Sequence, residues 1–268
     1  MMRHSFLGIS LLLLLATAAL AKETWLTTPA LRILAASDLR YALPELLEVY
    51  EATAQIPVSV VYGSSGKFFA QLMNGLPADI FFSADSQYPY RLEKTGMAMP
   101  GSRFTYAVGQ LALCSANTAT IDVTKGMAVL SESKVTKIAI ANPQHAPYGK
   151  AALEALHYYQ LYPQVKERLV FGESVLQAFQ YLASGAAPVG IVAFSLLSTA
   201  RIPRDRSWLI PQKAYRPILQ EVLILKSVKQ PLVAKNFLGF VKSRHGKQIL
   251  ARHGFGVQLA SPTLPGAS

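Results

Sequence analysis

Short apolar runs typical of β-strands alternate with segments whose apolar residues recur at helical spacing, and this alternation restricts the chain to few folds. In the first part of the chain the strand-like runs are LRILAA at 31–36, VSVVY at 58–62 and DIFFSAD at 79–85. Each run leads into a segment with helical periodicity. Alternating strands and helices predict a mostly parallel β-sheet with helices on both faces. We therefore predict an α/β protein.

The same alternation begins again in the second part of the chain with different residues. Four runs are predicted as strands: VGQLALC at 108–114, KIAIA at 137–141, LVF at 169–171 and VGIVAF at 189–194. The segments ALEALHYYQ and SVLQAFQYLASG between them are predicted helices. A last strand, LQEVLILK at 219–226, is followed by two short helical segments.

Two strand-and-helix sets predict two lobes with a ligand cleft between them. The late strand and its helices are expected to return to the first lobe. We therefore assign residues 30–105 together with 220–258 to lobe I, and residues 106–219 to lobe II. The chain then crosses between the lobes near residues 104–110 and 211–220.

The N-terminus has the pattern of a cleaved secretory signal peptide over residues 1–21. Arg3 and His4 precede an apolar run that ends in the small-residue triplet Ala19-Leu20-Ala21. An uncleaved membrane anchor is the weaker alternative, because the apolar core from Phe6 to Leu15 has about half the length of a membrane span. We expect a free protein in the periplasm, since no lipid-attachment cysteine lies beside the cleavage site.

The formal charge of +11 does not indicate nucleic-acid binding. Residues 201–268 hold twelve lysines and arginines against Asp205 and Glu221, a net +10 that accounts for nearly all of the excess. These cations stand singly among apolar residues, without the basic tracts or interleaved aromatic residues of nucleic-acid sites. A solvated basic face, or attraction of an anionic ligand or membrane, explains them. The single cysteine, Cys114, is expected to be a buried apolar residue.

Four strand-to-helix junctions share one chemistry. Each places small, hydroxylated or glycine-flanked residues where a strand ends and a helix begins: Ser37-Asp38, Gly63-Ser64-Ser65-Gly66, Ala146-Pro147-Tyr148-Gly149 and Gly172-Glu173-Ser174-Val175. Ligands bind at this edge of open α/β sheets, and helix N-termini there expose unpaired N–H groups to an anion. A serine at such a junction either caps the helix or gives its O–H to a ligand. Together the four predict an oxyanion site that needs no lysine or arginine.

The ordered set AASDLRYALPELLEVYE, YGSSGKFFAQLMNGLPADIFFSAD, ANPQHAPYGKAALEAL and GESVLQAFQYLASGAAPVGIVAFS resembles the periplasmic molybdate-binding proteins of ABC transporters. The resemblance runs from about residue 31 to 258. It implies a two-lobed periplasmic binding fold of type II that closes on molybdate or tungstate, without a cofactor. It also implies delivery of the anion to a membrane permease. We expect a monomer that is not an enzyme and binds no nucleic acid.

The resemblance also implies roles for individual residues. Ser37 and Ser65 would each donate from the hydroxyl and the main chain, and Tyr148 and Val175 would donate backbone N–H groups, their side chains mattering less. Molybdenum or tungsten would have no direct protein ligand, because the protein holds only the oxygens of the anion. Some family members place a tyrosine hydroxyl at the position of Ala193, which has none. Asp38 stands out, since a carboxylate beside a dianion repels it unless it points away or binds neighbouring N–H groups.

Two other functions remain open at this point. Another tetrahedral oxyanion, sulfate or phosphate, would use the same kind of site. A secreted serine hydrolase would need a nucleophile, but G63-S64-S65-G66 lacks the glycine placement of the G-x-S-x-G elbow, and only His145 lies at a junction. The same turn lacks the spacing of a phosphate-binding P-loop or a dinucleotide fingerprint. No His, Cys or carboxylate pair has the spacing of metal ligands.

Overall fold

The computed structural model describes residues 31–54, 57–116, 120–198, 202 and 204–257. The predicted signal peptide, residues 1–21, and the outermost positions of the predicted lobe I, residues 30 and 258, lie outside the described residues. Within the described part of the chain, no helix is long and apolar enough to cross a membrane.

The described residues form ten strands and eight α-helices. The strands are β1 (Leu31–Ala36), β2 (Val58–Gly63), β3 (Ile80–Ser83), β4 (Phe104–Gly109), β5 (Leu111–Ser115), β6 (Ile138–Ala141), β7 (Leu169–Gly172), β8 (Val189–Ala193), β9 (Ser207–Leu209) and β10 (Ile218–Ile224). The helices are α1 (Ala42–Ala54), α2 (Ser65–Met73), α3 (Gln87–Lys94), α4 (Pro147–Tyr158), α5 (Tyr162–Val165), α6 (Val175–Ala183), α7 (Pro231–Lys242) and α8 (Arg244–Arg252).

The strands form two sheets with the same topology. The first has the order β2-β1-β3-β10-β4 and the second the order β7-β6-β8-β5-β9. In the first sheet β1 is parallel to β2 and β3, whereas β10 is antiparallel to both of its neighbours. In the second, β6 is parallel to β7 and β8, and β5 is antiparallel to its neighbours. Each sheet therefore has four strands in one direction and one reversed, which confirms the mostly parallel α/β prediction.

The prediction of a single strand at 108–114 was wrong. The chain ends β4 at Gly109, passes Gln110 and begins β5 at Leu111, so that the run contributes to both sheets. Apolar residues on both sides of Gln110 hide the break, because each half is buried in its own sheet. Gly109 suits this crossing: a Cβ there would lie 2.3 Å from the Tyr148 hydroxyl. The three-residue strand β9 was not predicted.

Apolar side chains explain how the helices pack. Successive residues of β3 point to opposite faces of the first sheet: Phe82 packs with α1 and α7, and Phe81 with α2 and α3. A third cluster packs α4 and α6 against the second sheet and includes the buried Cys114. Ala36 and Ala84 of the first sheet's edge belong to this third cluster. The two lobes therefore contact each other where strands meet helices.

Candidate functional site

One small cavity lies where the four strand-to-helix junctions meet. It is lined by Ala36, Ser37, Asp38, Gly63, Ser64, Ser65, Ala84, Ala146, Pro147, Tyr148 and Val175. All four predicted site residues are in this group, two from each lobe. Parallel strands bring them together, because the carboxyl ends of β1, β2, β6 and β7 lie at the facing edges of their sheets.

Ser65 is the first residue of α2, and Ser64 before it is the N-cap. The Ser64 Oγ accepts from the N–H of Lys67 at 3.5 Å, so Ser64 does the capping that either serine could have done. The Ser65 Oγ accepts from the N–H of Ala84 at 2.9 Å, and the side chain is buried. A hydroxyl that accepts from a backbone N–H keeps its own O–H for donation. Among the described residues no acceptor takes this proton.

Ser37 begins a 3₁₀ helix, Ser37–Leu39, directly after β1. Its Oγ accepts from the N–H of Leu176 in α6 at 3.3 Å, a contact between the two lobes. The side chain is 2% exposed. Ser37 therefore resembles Ser65: the backbone supplies a donor to its oxygen, and its O–H is available to the cavity.

Three helices begin at the cavity wall. Ser65, Tyr148 and Val175 lie in the first turns of α2, α4 and α6. N–H groups in a first turn have no partner inside the helix, and the described residues provide no acceptor for those of Tyr148 and Val175. The positive ends of the helix dipoles also favour an anion here. Among the described lining residues there is no lysine, arginine or histidine.

The side chain of Tyr148 forms a buried hydrogen bond of its own, beside the role predicted for its backbone N–H. Its hydroxyl donates to the Asp38 Oδ2 at 3.0 Å, and the Gln220 Nε2 donates to the same oxygen at 2.8 Å. The tyrosine is 1% exposed. Because Tyr148 belongs to α4 and Asp38 to the turn after β1, this bond joins the two lobes beside the cavity.

Asp38 is a buried carboxylate in the cavity wall. Its Oδ1 has no hydrogen-bond partner among the described residues. The Ser195 hydroxyl donates to the Asp38 carbonyl oxygen at 2.8 Å, which holds the backbone of the turn. Burial raises the pKa of the Asp38 carboxyl to about 6, against the opposing hydrogen bonds from Tyr148, Gln220 and the backbone N–H groups of Asp38 and Leu39. Sequence reasoning noticed the carboxylate but not the partners, which lie 110 and 182 residues away.

Comparison with known proteins assigns the chain to a family. Residues 31–256 match the family of bacterial extracellular solute-binding proteins. The chain belongs to this family. The molybdate-binding protein ModA of Rhodobacter capsulatus is 40% identical over 74% of this chain and 77% of that protein. ModA of Azotobacter vinelandii is 34% identical over 91% of this chain and 94% of that protein.

A solved structure shares the fold of this solute-binding protein. It is the periplasmic molybdate-binding protein of Azotobacter vinelandii, with a TM-score of 0.80 and 36% identity, covering 85% of this chain and 99% of that one. The agreement confirms the predicted two-lobed periplasmic binding fold. Ala193 occupies the position at which some family members place a tyrosine hydroxyl. It is buried at the end of β8 and is not among the residues that line the cavity.

The rim of the cleft holds further contacts between the lobes of this solute-binding protein. The N–H of Gly66 donates to the carbonyl of His145 at 3.0 Å, and the Ser64 hydroxyl donates to the same carbonyl at 2.7 Å. Lys67 forms an ion pair with Glu173 across the cleft. Burial and the nearby Lys67 lower the pKa of His145, although Glu173 opposes this. These contacts describe a closed cleft.

Ser64 and His145 do not form a hydrolytic pair. The Ser64 Oγ lies 2.9 Å from the His145 Nδ1, and the His145 Nε2 lies 3.6 Å from Glu173. A nucleophile must give its proton to the imidazole, whereas the Ser64 proton goes to the His145 carbonyl and its oxygen caps α2. Solute-binding proteins are not enzymes, and this geometry agrees. The described residues also contain no cluster of His, Cys, Asp and Glu that could hold a metal ion.

Proposed function

We propose that the protein captures molybdate or tungstate and delivers it to the membrane permease of an ABC transporter. The observation that carries this proposal is the donor set of the cavity: two serine hydroxyls with their oxygens already engaged, and first-turn N–H groups of three helices. The relatives that are 40% and 34% identical are named molybdate-binding proteins. Ser37, Ser65, Tyr148 and Val175 are the proposed ligand-binding residues.

Neutral donors suffice for a dianion in this setting. The local dielectric constant of a closed cleft is low, so fixed dipoles interact strongly with charge there. A fully ionised oxyanion offers only acceptors and matches a wall of donors. The protein would hold the oxygens of the anion, and the metal atom would have no protein ligand. No cofactor is required.

The proposal extends to the organisation and location of the protein. Lobe I comprises residues 30–105 and 220–258, and lobe II residues 106–219. The strand order of the two sheets supports this division, but β4 and β10 extend the first sheet over residues 106–109 and 218–219. A cleaved signal peptide, residues 1–21, exports the chain to the periplasm. The protein works there as a monomer without nucleic acid, and its partner is the permease.

Phosphate is the alternative ligand, and the relatives named as molybdate-binding proteins do not favour it. The free Oδ1 of Asp38 is an acceptor in the cavity wall, and a hydrogen phosphate carries a proton that such an acceptor would take. Sulfate lacks that proton and gains nothing from Asp38. Selectivity between molybdate and sulfate then depends on the size of the cavity.

Isothermal titration calorimetry of the mature protein with molybdate, tungstate, sulfate and phosphate tests the proposal. We expect saturable binding of one molybdate or tungstate per chain, and much weaker binding of the other two anions. Heat with sulfate or phosphate but not with molybdate would contradict the choice of ligand. A chain that binds none of the four would contradict the whole proposal.

A further inference from the structure

Asp38 is the one feature of the cavity wall that does not suit a dianion. The residue lines the cavity, is 1% exposed, and uses only one of its two carboxylate oxygens in described hydrogen bonds. Tyr148 and Gln220 both donate to Oδ2. Oδ1 is therefore a buried polar atom with no hydrogen bond of good geometry among the described residues, and only the nearby backbone N–H groups of Asp38 and Leu39 partly stabilise its charge. It lies beside the proposed anion site.

The groups that face Asp38 provide no positive charge. The titratable ones are two phenols, Tyr148 from α4 and Tyr106 from β4, and the Tyr106 hydroxyl donates to Gln220 of β10 at 2.9 Å. Ser195, from the 3₁₀ helix Phe194–Ser198, and the backbone of α6 complete the surroundings. Nearby Arg40 lies over the ring of Tyr62 from β2, 5.1 Å from its centre. Among the described residues no cation lowers the pKa of Asp38.

A second negative charge in this cavity would be strongly repelled by an ionised Asp38. Both charges would lie in a region of low dielectric constant with no cation to screen them. A proton on Oδ1 removes the repulsion and turns an unpaired acceptor into one more donor. The same proton can also come from the ligand when the ligand is hydrogen phosphate.

We propose that Asp38 is a specificity-determining residue that takes up one proton when a fully ionised oxyanion binds, and donates it from Oδ1 to an oxygen of that anion. This inference rests on the proposed function. Binding of molybdate by the ionised protein is then accompanied by uptake of one proton from solvent, whereas hydrogen phosphate binds to ionised Asp38 without uptake. The affinity for molybdate relative to that for hydrogen phosphate thereby depends on pH.

The direction of the pH dependence follows from the ionisation of the free protein. With a pKa of about 6, Asp38 is mostly ionised at pH 7.5. Its carboxylate must therefore take up a proton from solvent when molybdate binds. Above this pKa the affinity for molybdate should fall by about tenfold per pH unit, and below it the affinity should level off. An Asp38→Asn variant carries its donor permanently and should show no such slope between pH 6.5 and 8.5.

Calorimetry in buffers with different ionisation enthalpies measures the proton directly. At pH 7.5 we expect uptake close to one proton per molybdate for the wild-type protein and close to zero for Asp38→Asn. Tyr90→Phe is the control: this exposed tyrosine does not line the cavity and forms no described hydrogen bond with Asp38 or its partners, so uptake should stay close to one. Circular dichroism checks that both variants are folded.

Infrared difference spectroscopy of the wild-type protein gives a second readout that needs no variant. Addition of molybdate at pH 7.5 should produce the carbonyl band of a protonated carboxylic acid. Molybdate binding without proton uptake and without this band would overturn the inference and leave the proposed function intact. Equal uptake in wild type and Asp38→Asn would also overturn it. Absence of molybdate binding to the wild-type protein would instead contradict the proposed function.

Discussion

Ser37 and Ser65 are buried serines whose oxygens accept from backbone N–H groups. These hydrogen bonds leave the O–H of each serine free to donate into the cavity. A serine with a free oxygen could turn its proton toward any neighbour. Here the N–H groups of Leu176 and Ala84 occupy the oxygens, so each O–H is left for the cavity. The sequence placed both serines at strand ends but did not show what they would accept from.

Replacing Ser65 with alanine tests this role. The variant loses a hydrogen bond to a charged ligand, so molybdate binding should weaken by about 1.5 to 3 kcal/mol. Ser102→Ala is the control. The Ser102 hydroxyl also forms partly buried hydrogen bonds, to the carbonyls of Met99 and Ile224, but Ser102 does not line the cavity. Calorimetry on both variants measures the difference. Equal affinity in Ser65→Ala and wild type would show that the hydroxyl does not contact the anion.

Tyr148→Phe separates the backbone of this residue from its hydroxyl. The variant keeps the N–H but removes a donor to the Asp38 carboxylate, and such a bond lowers the pKa of the carboxyl. The pH at which molybdate affinity begins to fall should therefore move upward. Affinity measured from pH 5.5 to 8.5 checks this, with Tyr90→Phe, an exposed tyrosine, as the control. A downward shift would contradict the assignment.

At the scale of elements, the strand-to-helix junctions and the regions where the chain crosses between lobes were predictable, whereas the break between β4 and β5 was not. Local patterns mark the end of β1, β2, β6 and β7, because apolar strand residues stop where small residues begin. The break at Gln110 has no such mark, since buried residues flank it on both sides. The bond from Tyr148 to Asp38 was also beyond prediction: it depends on how two separately folded sheets face each other.

Gly66 shows how closely the junctions approach. A Cβ on this residue would lie 2.5 Å from the carbonyl oxygen of His145 in the other lobe. Gly66→Ala should therefore hold the cleft partly open and weaken molybdate binding by at least about tenfold, roughly 1.4 kcal/mol. Small-angle scattering with saturating molybdate should give a larger radius of gyration than for the wild-type protein.

Gly239→Ala is the matched control for this experiment. Gly239 lies inside α7, and an added Cβ would meet nothing within 4 Å. This variant should close and bind like the wild-type protein. A Gly66→Ala variant with unchanged affinity and unchanged scattering would show that the lobes need not approach here for binding.

At the scale of the whole molecule, two lobes with the same strand order enclose a small cavity, which we propose as the anion site. The net charge of +11 is not used inside this site, since the described lining residues contain no lysine, arginine or histidine. Alternation of elements predicted two α/β lobes, and the resemblance to molybdate-binding proteins then implied the binding fold and the four residues that line one cavity. The proposed protonation of Asp38 could not be argued from the sequence, because it depends on the hydrogen bonds that Tyr148 and Gln220 donate to this carboxylate.

The most direct test of the central claim is a crystal structure of the protein with molybdate, with anomalous scattering recorded at the molybdenum absorption edge. The account predicts one strong anomalous peak per chain, inside the cavity lined by Ser37, Ser65, Tyr148 and Val175. The oxygens around it should lie within hydrogen-bond distance of the two hydroxyls and the first-turn N–H groups. A peak elsewhere on the protein, or an empty cavity at saturating molybdate, would contradict the account.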